Sequence, residues 1–284
     1  MHRFRDSMQS RDTDDPAIQG KQAASARQAK LALVIPTLHE AGNIASLLRI
    51  VRQSLDACLV PCEVIVVDDE SGDGIEEIVS GISAEDPRVR LIVRHGERGL
   101  AGAVLRGWAE TNATHLGVMD ADLQHPPEVL PQLWAAMVAG ADLAIGSRYA
   151  RGGSLGEWNA WRHLISRMAI WMTLPVQRAG LRARDPMSGF FIVRRDCLDG
   201  ITLQTTGFKI LLEILARAKL RSVVEVPFTF GRRSAGNSKA GPGVALDYLR
   251  LLLRLCQQKG RTPSRAEREH ARAALDKQHK VIRH

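Results

Sequence analysis

The chain is poor in features that mark several common protein types. Its 284 residues include four cysteines, Cys58, Cys62, Cys197 and Cys256. None stands in a C-x-x-C pair or at metal-ligand spacing, so a disulfide framework and a cysteine-bound metal are both excluded. Reduced, mostly buried thiols in a cytosolic protein are expected. No long apolar run is present. Uncharged apolar-rich runs such as MAIWMTLPVQ, between Arg167 and Arg178, are far short of the ~20 residues that cross a bilayer. No apolar h-region occurs near the N-terminus, so no secretory signal is visible. No G-x-G-x-x-G follows the first strand pattern and there is no Walker A motif, which argues against a dinucleotide dehydrogenase and a P-loop NTPase. His39-Glu40 begins like a zincin helix but lacks the second histidine. GGSLG (152–156) fits G-x-S-x-G, yet polar EWN follows where a nucleophile elbow needs a helix, so this stretch reads as a loop.

Charge is also less abundant where it would matter for nucleic acid. The formal net charge is +8, but residues 1–30 hold net +2, residues 257–284 net +5, and the body between about +1. Basicity lies mainly in the ends, which argues against a duplex-binding face. Both ends have the composition of disordered segments, and a basic tail favours an anionic membrane surface.

What is present is an alternation. LALVIP (31–36), CEVIVVDD (62–69), VRLIVR (89–94), HLGVMDAD (115–122) and DLAIGSRY (142–149) are strand patterns. Most are continuous apolar runs, as expected of strands buried on both faces. Helical patterns lie between them: Ile44, Leu47, Leu48 and Val51 share one face, and further helices are expected over about 75–82, 100–110 and 126–140. The second half predicts a helix over 162–177, a strand at 188–195, a helix over 207–220, a strand at 223–230, and a last helix near 244–256. This is an α/β chain with a largely parallel, three-layered, Rossmann-like sheet, in which ligands bind at the carboxyl ends of the strands. Two acidic pairs, Asp68/Asp69 and Asp120/Asp122, fall at such ends.

The second pair sits in MDADLQHPPE (119–128). On an extended chain Asp120, Asp122 and Gln124 point the same way. Two crowded carboxylates are costly unless a cation joins them, and Mg²⁺ or Mn²⁺ with all-oxygen ligands, water and phosphate suits such a row. Read alone, the pair is equally compatible with two solvated loop carboxylates, and Asp68/Asp69 with helix caps. His125 reads as a loop or cap residue.

The ordered motifs go further. VIPTLHE, VVDDESGDG, RGLAGAVLRG, MDADLQHPPE, GSRYARGG, WNAWRHLISR, DPMSGFF and RRSAGNSK occur in that order over about 31–240. The chain thereby resembles the dolichyl-phosphate mannose synthase group of family 2 glycosyltransferases. It departs from the group's pattern at Leu38-His39 (usually Tyr-Asn), Glu70 (usually Gly) and Ala240 (usually Leu), near base and sugar contacts. The resemblance implies a GT-A fold over 31–243, between a polar leader (1–30) and an amphipathic helix (244–256) with a basic tail (257–284). It implies inverting transfer of mannose from GDP-mannose to a polyprenyl or dolichyl phosphate. A UDP-glucose or UDP-N-acetylhexosamine donor and a non-catalytic nucleotide-sugar-binding subunit are the alternatives. By the same resemblance, Pro36, Leu38, Glu40, Val67 and Asp69 line the base and ribose. Asp120, Asp122 and Gln124 hold Mg²⁺ or Mn²⁺, and the Ala121 backbone touches the nucleotide. Asp122 and Arg148 act at the reacting centre, with Arg148 at the sugar and phosphate end. Arg162, Arg233 and Lys239 bind phosphates of acceptor and, for the latter two, donor.

The loop GRRSAGNSKAG (231–241) has three glycines and three basic residues, and is expected to close over donor diphosphate as a lid. Because the acceptor is a lipid and the chain has no span, peripheral attachment on the cytoplasmic face of a membrane is expected. Helices 162–176 and 244–255 are the contacts, and a separate membrane-spanning partner could assist. Each helix is equally readable as packed on the core.

Overall fold

A computed structural model describes residues 30–154, 160–203, 209–231 and 242–258, with side chains of 160–162, 242–247 and 258 excepted. In chain order the elements are β1 (Leu31–Thr37), α1 (Ala41–Asp56), β2 (Cys62–Asp68), α2 (Ile75–Glu85), β3 (Val89–Val93), α3 (Leu100–Ala109) and β4 (His115–Val118). They continue with α4 (Leu130–Val138), β5 (Leu143–Ser147), α5 (Ala160–Thr173), β6 (Phe191–Arg194), α6 (Ile210–Arg217), β7 (Val223–Pro227) and α7 (Pro242–Gln258).

The strands form one sheet in the order β3-β2-β1-β4-β6-β5-β7. β3, β2, β1 and β4 are mutually parallel, β6 runs antiparallel to both neighbours, and β7 is parallel to β5. The chain winds outward from β1 to β3 and then returns to place β4 on the other side of β1. This reversal opens a crevice beyond the carboxyl ends of β1 and β4, the usual ligand position in such sheets.

Alternation along each strand feeds two cores. Leu31, Leu33 and Ile35 pack with α1 and α4, whereas Ala32 and Val34 pack with α3 and α6. Every one of these five side chains is fully buried, which is why β1 reads as an unbroken apolar run. The small residues of α3 have a packing cause: a Cβ on Gly107 would lie 2.7 Å from a Val34 methyl carbon, so the helix rests directly on the sheet.

Two expectations need correcting. The fourth strand stops at Val118 rather than 122, and Asp120 to Gln124 lie in a turn with Leu123 in the left-handed region at φ 60°. The extended-row geometry for the acidic residues therefore does not hold. The helix expected over 162–177 ends at Thr173, two residues before Pro175, which has no N–H to continue it.

Candidate active site

The acidic turn hangs from the switch point. Met119 N–H donates to the Val34 carbonyl at 3.1 Å, extending the β1–β4 pairing by one residue before the chain turns. Asp122 is buried and accepts a 3.2 Å hydrogen bond from Gln124 N–H. The Gln124 side chain does not continue a row with the aspartates. Its Nε2 donates to the Gly231 carbonyl at 3.2 Å, while Gly231 N–H donates to the Gln124 carbonyl at 2.9 Å. Gln124 thus ties the acidic turn to the start of the basic loop.

Asp120 occupies a tight place. A Cβ built on Gly189 would lie 2.5 Å from its Oδ2, so the carboxylate rests where any other residue would put a side chain. Its Oδ1 is buried without a hydrogen-bond partner among the described residues, although a third of the whole side chain remains exposed. Burial pushes its carboxyl above the usual range; nearby His125 opposes this and Asp122 adds to it. Replacing Gly189 by alanine is expected to displace this carboxylate and lower the activity of the site by ~10²-fold, the scale for losing a preorganised charge stabiliser. What moves is the end of one side chain, so the thermal midpoint should stay near that of the native protein. Product formation and a melting curve check both halves; a fully active alanine variant would show that Asp120 need not sit there.

Arg148 lies after β5. Its Nε and Nη2 donate to the two oxygens of Asp185 at 2.7 and 2.8 Å, and its backbone N–H adds a third bond at 3.1 Å. Asp185 is wholly buried. The guanidinium also lies 5.2 Å from the Phe230 ring centre. Burial alone would lower the Arg148 pKa, but the Asp185 carboxylate outweighs it and the pKa is raised. The residue is a fixed cation. Lys209, just before α6, interacts electrostatically with Asp120, Asp185 and Arg148; burial, then Arg148, lowers its pKa.

The ends of β1 and β2 supply the other wall. Pro36 pairs in register with Val67, and Thr37 with Asp68. Asp68 accepts from Ser71 N–H at 2.7 Å, Ser71 hydroxyl at 2.6 Å and Thr37 hydroxyl at 2.9 Å. Asp69 accepts from Arg94 Nε and from Gly99 N–H, each at 2.7 Å. Both carboxylates shape the loops at the mouth, and Asp69 ties its loop to the one preceding α3. Glu40 accepts from Asn43 Nδ2 at 2.7 Å at the start of α1. Two of the departures noted in sequence occupy strained backbone: His39 has φ 61° and Glu70 φ 54°, where asparagine and glycine are favoured; Ala240 lies outside the described residues. Each is anchored. His39 N–H donates to the Ser71 hydroxyl at 2.9 Å, and the Glu70 carboxylate accepts from Gly96 N–H at 3.1 Å.

A divalent cation fits this donor set. Asp120 and Asp122 meet across one turn, and the orphaned Asp120 Oδ1 is an acceptor that protein hydrogen bonds leave unused. Among the described residues no group of three or more His, Cys, Asp or Glu side chains forms a metal cluster. The remaining ligands would therefore be water and substrate oxygens, as hard cations bound with phosphates usually have.

The structure places Pro36, Leu38, Glu40, Val67 and Asp69 at the ends of β1 and β2, and Asp120, Ala121, Asp122 and Arg148 just after β4 and β5; the Val67 side chain is fully buried in the core beneath α3 and leaves only its backbone near the strand end. The Arg162 side chain, Arg233 and Lys239 lie outside the described residues, as does most of the basic loop. Sequence reasoning missed Arg94, Asp185, Gly189 and Lys209; His125 lies in a loop as expected, but it is buried, with Nδ1 3.6 Å from Asp120 Oδ2. Asp185 and Gly189 lie in the DPMSGFF motif, the one signal that pointed to them.

The model of the Glycosyl transferase family 2 matches residues 32–202. A dolichol-phosphate mannosyltransferase of Pyrococcus furiosus is 43% identical over 81% of this chain, which spans 65% of that relative's length. The protein of the same name from Saccharomyces cerevisiae is 39% identical over 78% of this chain and 85% of its own. Among solved structures, glucosyl-3-phosphoglycerate synthase from Mycobacterium tuberculosis, in complex with Mn²⁺, UDP-glucose and phosphoglyceric acid, aligns with TM-score 0.59 at 21% identity, covering 84% of this chain and 83% of that one. That likeness shows the fold.

Proposed function

The chain belongs to glycosyl transferase family 2, and from this premise we propose that it transfers mannose from GDP-mannose to a dolichyl or polyprenyl phosphate at a membrane surface. Beyond the family relationship, one observation carries the reading: α5 is inside out. Ser166 and Thr173 face the protein, the Ser166 hydroxyl accepting from Tyr149 OH at 2.7 Å and Thr173 being fully buried, while Arg167 is exposed. Its apolar side chains Leu164, Ile165, Met168, Trp171 and Met172 face outward, Trp171 being 73% exposed. A groove of about 910 Å³ beside this helix is lined by Arg148, Arg167 and Arg184 and by Met168, Ile170, Trp171 and Met172. Cations beside apolar side chains suit a phosphate head on a hydrocarbon tail. The other helix divides its apolar residues: on α7, Leu252 and Leu255 pack with Val176 and Leu212, while Leu249 and Leu253 are exposed beside the same region. Tyr248 OH joins the two helices through the Ala169 carbonyl at 2.5 Å. No described helix is long and apolar enough to cross a membrane, so attachment is peripheral in this reading, on the cytoplasmic face where the free cysteines stay reduced. The net +5 tail adds attraction to anionic lipid, and a membrane-spanning partner could strengthen anchorage.

The acceptor phosphate carries an ionised oxygen near neutral pH, since its second pKa is about 6. It needs little help from a base, and attack in line inverts the anomeric carbon. The protein's tasks are to hold two anions together and to stabilise the leaving diphosphate. Arg148, locked by Asp185 in the wall of the groove, meets the first, with Arg162, Arg233 and Lys239 as further phosphate ligands. The walls at Pro36, Leu38, Glu40, Val67 and Asp69 orient the nucleoside. Asp120 and Asp122 would hold Mg²⁺ or Mn²⁺, which when bound supplies Lewis-acid neutralisation of the diphosphate; Gln124, whose Nε2 is tied to the Gly231 carbonyl, would reach the ion only through its amide oxygen.

The test is incubation with Mg²⁺, a short polyprenyl phosphate and labelled GDP-mannose, UDP-glucose or UDP-N-acetylglucosamine in turn. Lipid-phase label from GDP-mannose is expected; label from a UDP-sugar alone would reassign the donor, and none from any would overturn the reading. In flotation, anionic liposomes should carry the chain at low salt. Trp171→Ser together with Met168→Ser should reduce the floated fraction by ~10-fold, because binding scales with buried apolar area. Absence of the unaltered chain from every lipid fraction would return both helices to the core.

A further inference from the structure

His125 follows the acidic turn closely, yet it is not a surface residue. It is 3% exposed, and its ring is caged by Phe190, Phe228 and Phe230 at centroid distances of 5.4, 5.5 and 5.7 Å. An apolar cage does not need a histidine; a phenylalanine or leucine would fill it without bringing a polar atom inside. Burying such an atom without a partner is costly. The imidazole Nδ1 has no hydrogen-bond partner among the described residues, and neither does Asp120 Oδ1. Asp120 Oδ2 lies 3.6 Å from Nδ1, too far for a hydrogen bond. Two unsatisfied groups therefore stand on either side of one carboxylate. A cation on Oδ1 and a donor on Oδ2 would satisfy both, and the absence of a Cβ at Gly189 leaves the carboxylate space to settle between them.

We propose that His125 is a positioning residue for the metal site, donating from Nδ1 to Asp120 Oδ2 and thereby presenting Oδ1 to the divalent cation. Ligating carboxylates are commonly oriented by a second hydrogen-bonding partner, whose loss lowers metal affinity about 10–100-fold. The phenylalanine cage supports this by fixing the ring plane. The proposal rests on the metal assignment made above, and the test separates the two.

Mn²⁺ binding in the presence of GDP is measured by electron paramagnetic resonance for the full chain and two variants. His125→Phe keeps a ring in the cage and removes the donor. His125→Asn keeps a nitrogen donor at the same bond distance from the backbone as Nδ1. The phenylalanine variant is expected to bind Mn²⁺ about 10-fold more weakly, with a raised metal requirement and an unshifted melting temperature, and the asparagine variant to stay within about 3-fold of the native chain. Native-like Mn²⁺ affinity in a folded His125→Phe protein, or equal losses in both folded variants, overturns the proposal. If the phenylalanine variant does not fold, the asparagine variant decides alone, retained affinity supporting the proposal and a ten-fold loss overturning it. Failure of the native chain to bind Mn²⁺ would instead remove the metal assignment itself.

Discussion

Asp122→Asn is expected to lower transfer by at least ~10²-fold while leaving the fold intact. The substitution keeps the shape of the side chain and an oxygen able to accept from Gln124 N–H, which lies 3.2 Å away. Only the charge is lost. With it goes half of the anionic pair that would draw a divalent cation to the turn, and the remaining carboxylate, Asp120, is already held toward its neutral form by burial. The loss should deepen when Mg²⁺ is limiting and shrink with excess Mn²⁺. Initial rates across a metal titration, beside a thermal melt, distinguish this from misfolding. Near-normal turnover of the folded variant in limiting Mg²⁺ would sink the assignment.

The second large effect is expected at Arg148. Lysine there keeps the charge but cannot reproduce the two-nitrogen fork on Asp185 at 2.7 and 2.8 Å, and it loses the planar contact with Phe230. Transfer by Arg148→Lys should fall by ~10²-fold, since a misoriented group near the reacting centre costs on that scale. Arg148→Met goes further, because it leaves a wholly buried carboxylate uncompensated. Breaking such a pair costs about 3–5 kcal/mol of stability. Denaturant unfolding of the two variants should therefore separate them, with the methionine protein much the less stable. Equal stability of Met and native chains would show that Asp185 is neutralised by another group, for which Lys209 is the nearest cation on electrostatic grounds.

Part of this site was legible in the sequence for a simple reason. Strands buried on both faces leave unbroken apolar runs, and their polar ends stand out as Asp68/Asp69 and Asp120/Asp122. The family motifs then attached roles to those ends. The reading failed where it extended a strand by inertia. Periodicity cannot tell that β4 stops at Val118, because Met119 and Ala121 are apolar and buried whether the chain is extended or turned. The same ambiguity hid His125: a histidine before two prolines resembles a loop residue, and its burial depends on Phe190 and Phe228, which are 65 or more residues away in sequence.

The sequence by itself determined the α/β alternation, the acidic strand ends, the family, and the apolar stripes on α5 and α7. These are local properties, written in side-chain period and short motifs. Only the tertiary structure decided which way those stripes face. Ser166 and Thr173 turn inward because Tyr149 and the buried end of α5 satisfy them, leaving Trp171 and Met168 outside; Leu252 and Leu255 turn inward because Val176 and Leu212 are there to receive them. It likewise decided that Gly189 lies beneath Asp120 and that Asp185 grips Arg148. Each of these is a contact between segments far apart in the chain, set by the order in which strands enter the sheet, and no local pattern of residues encodes it.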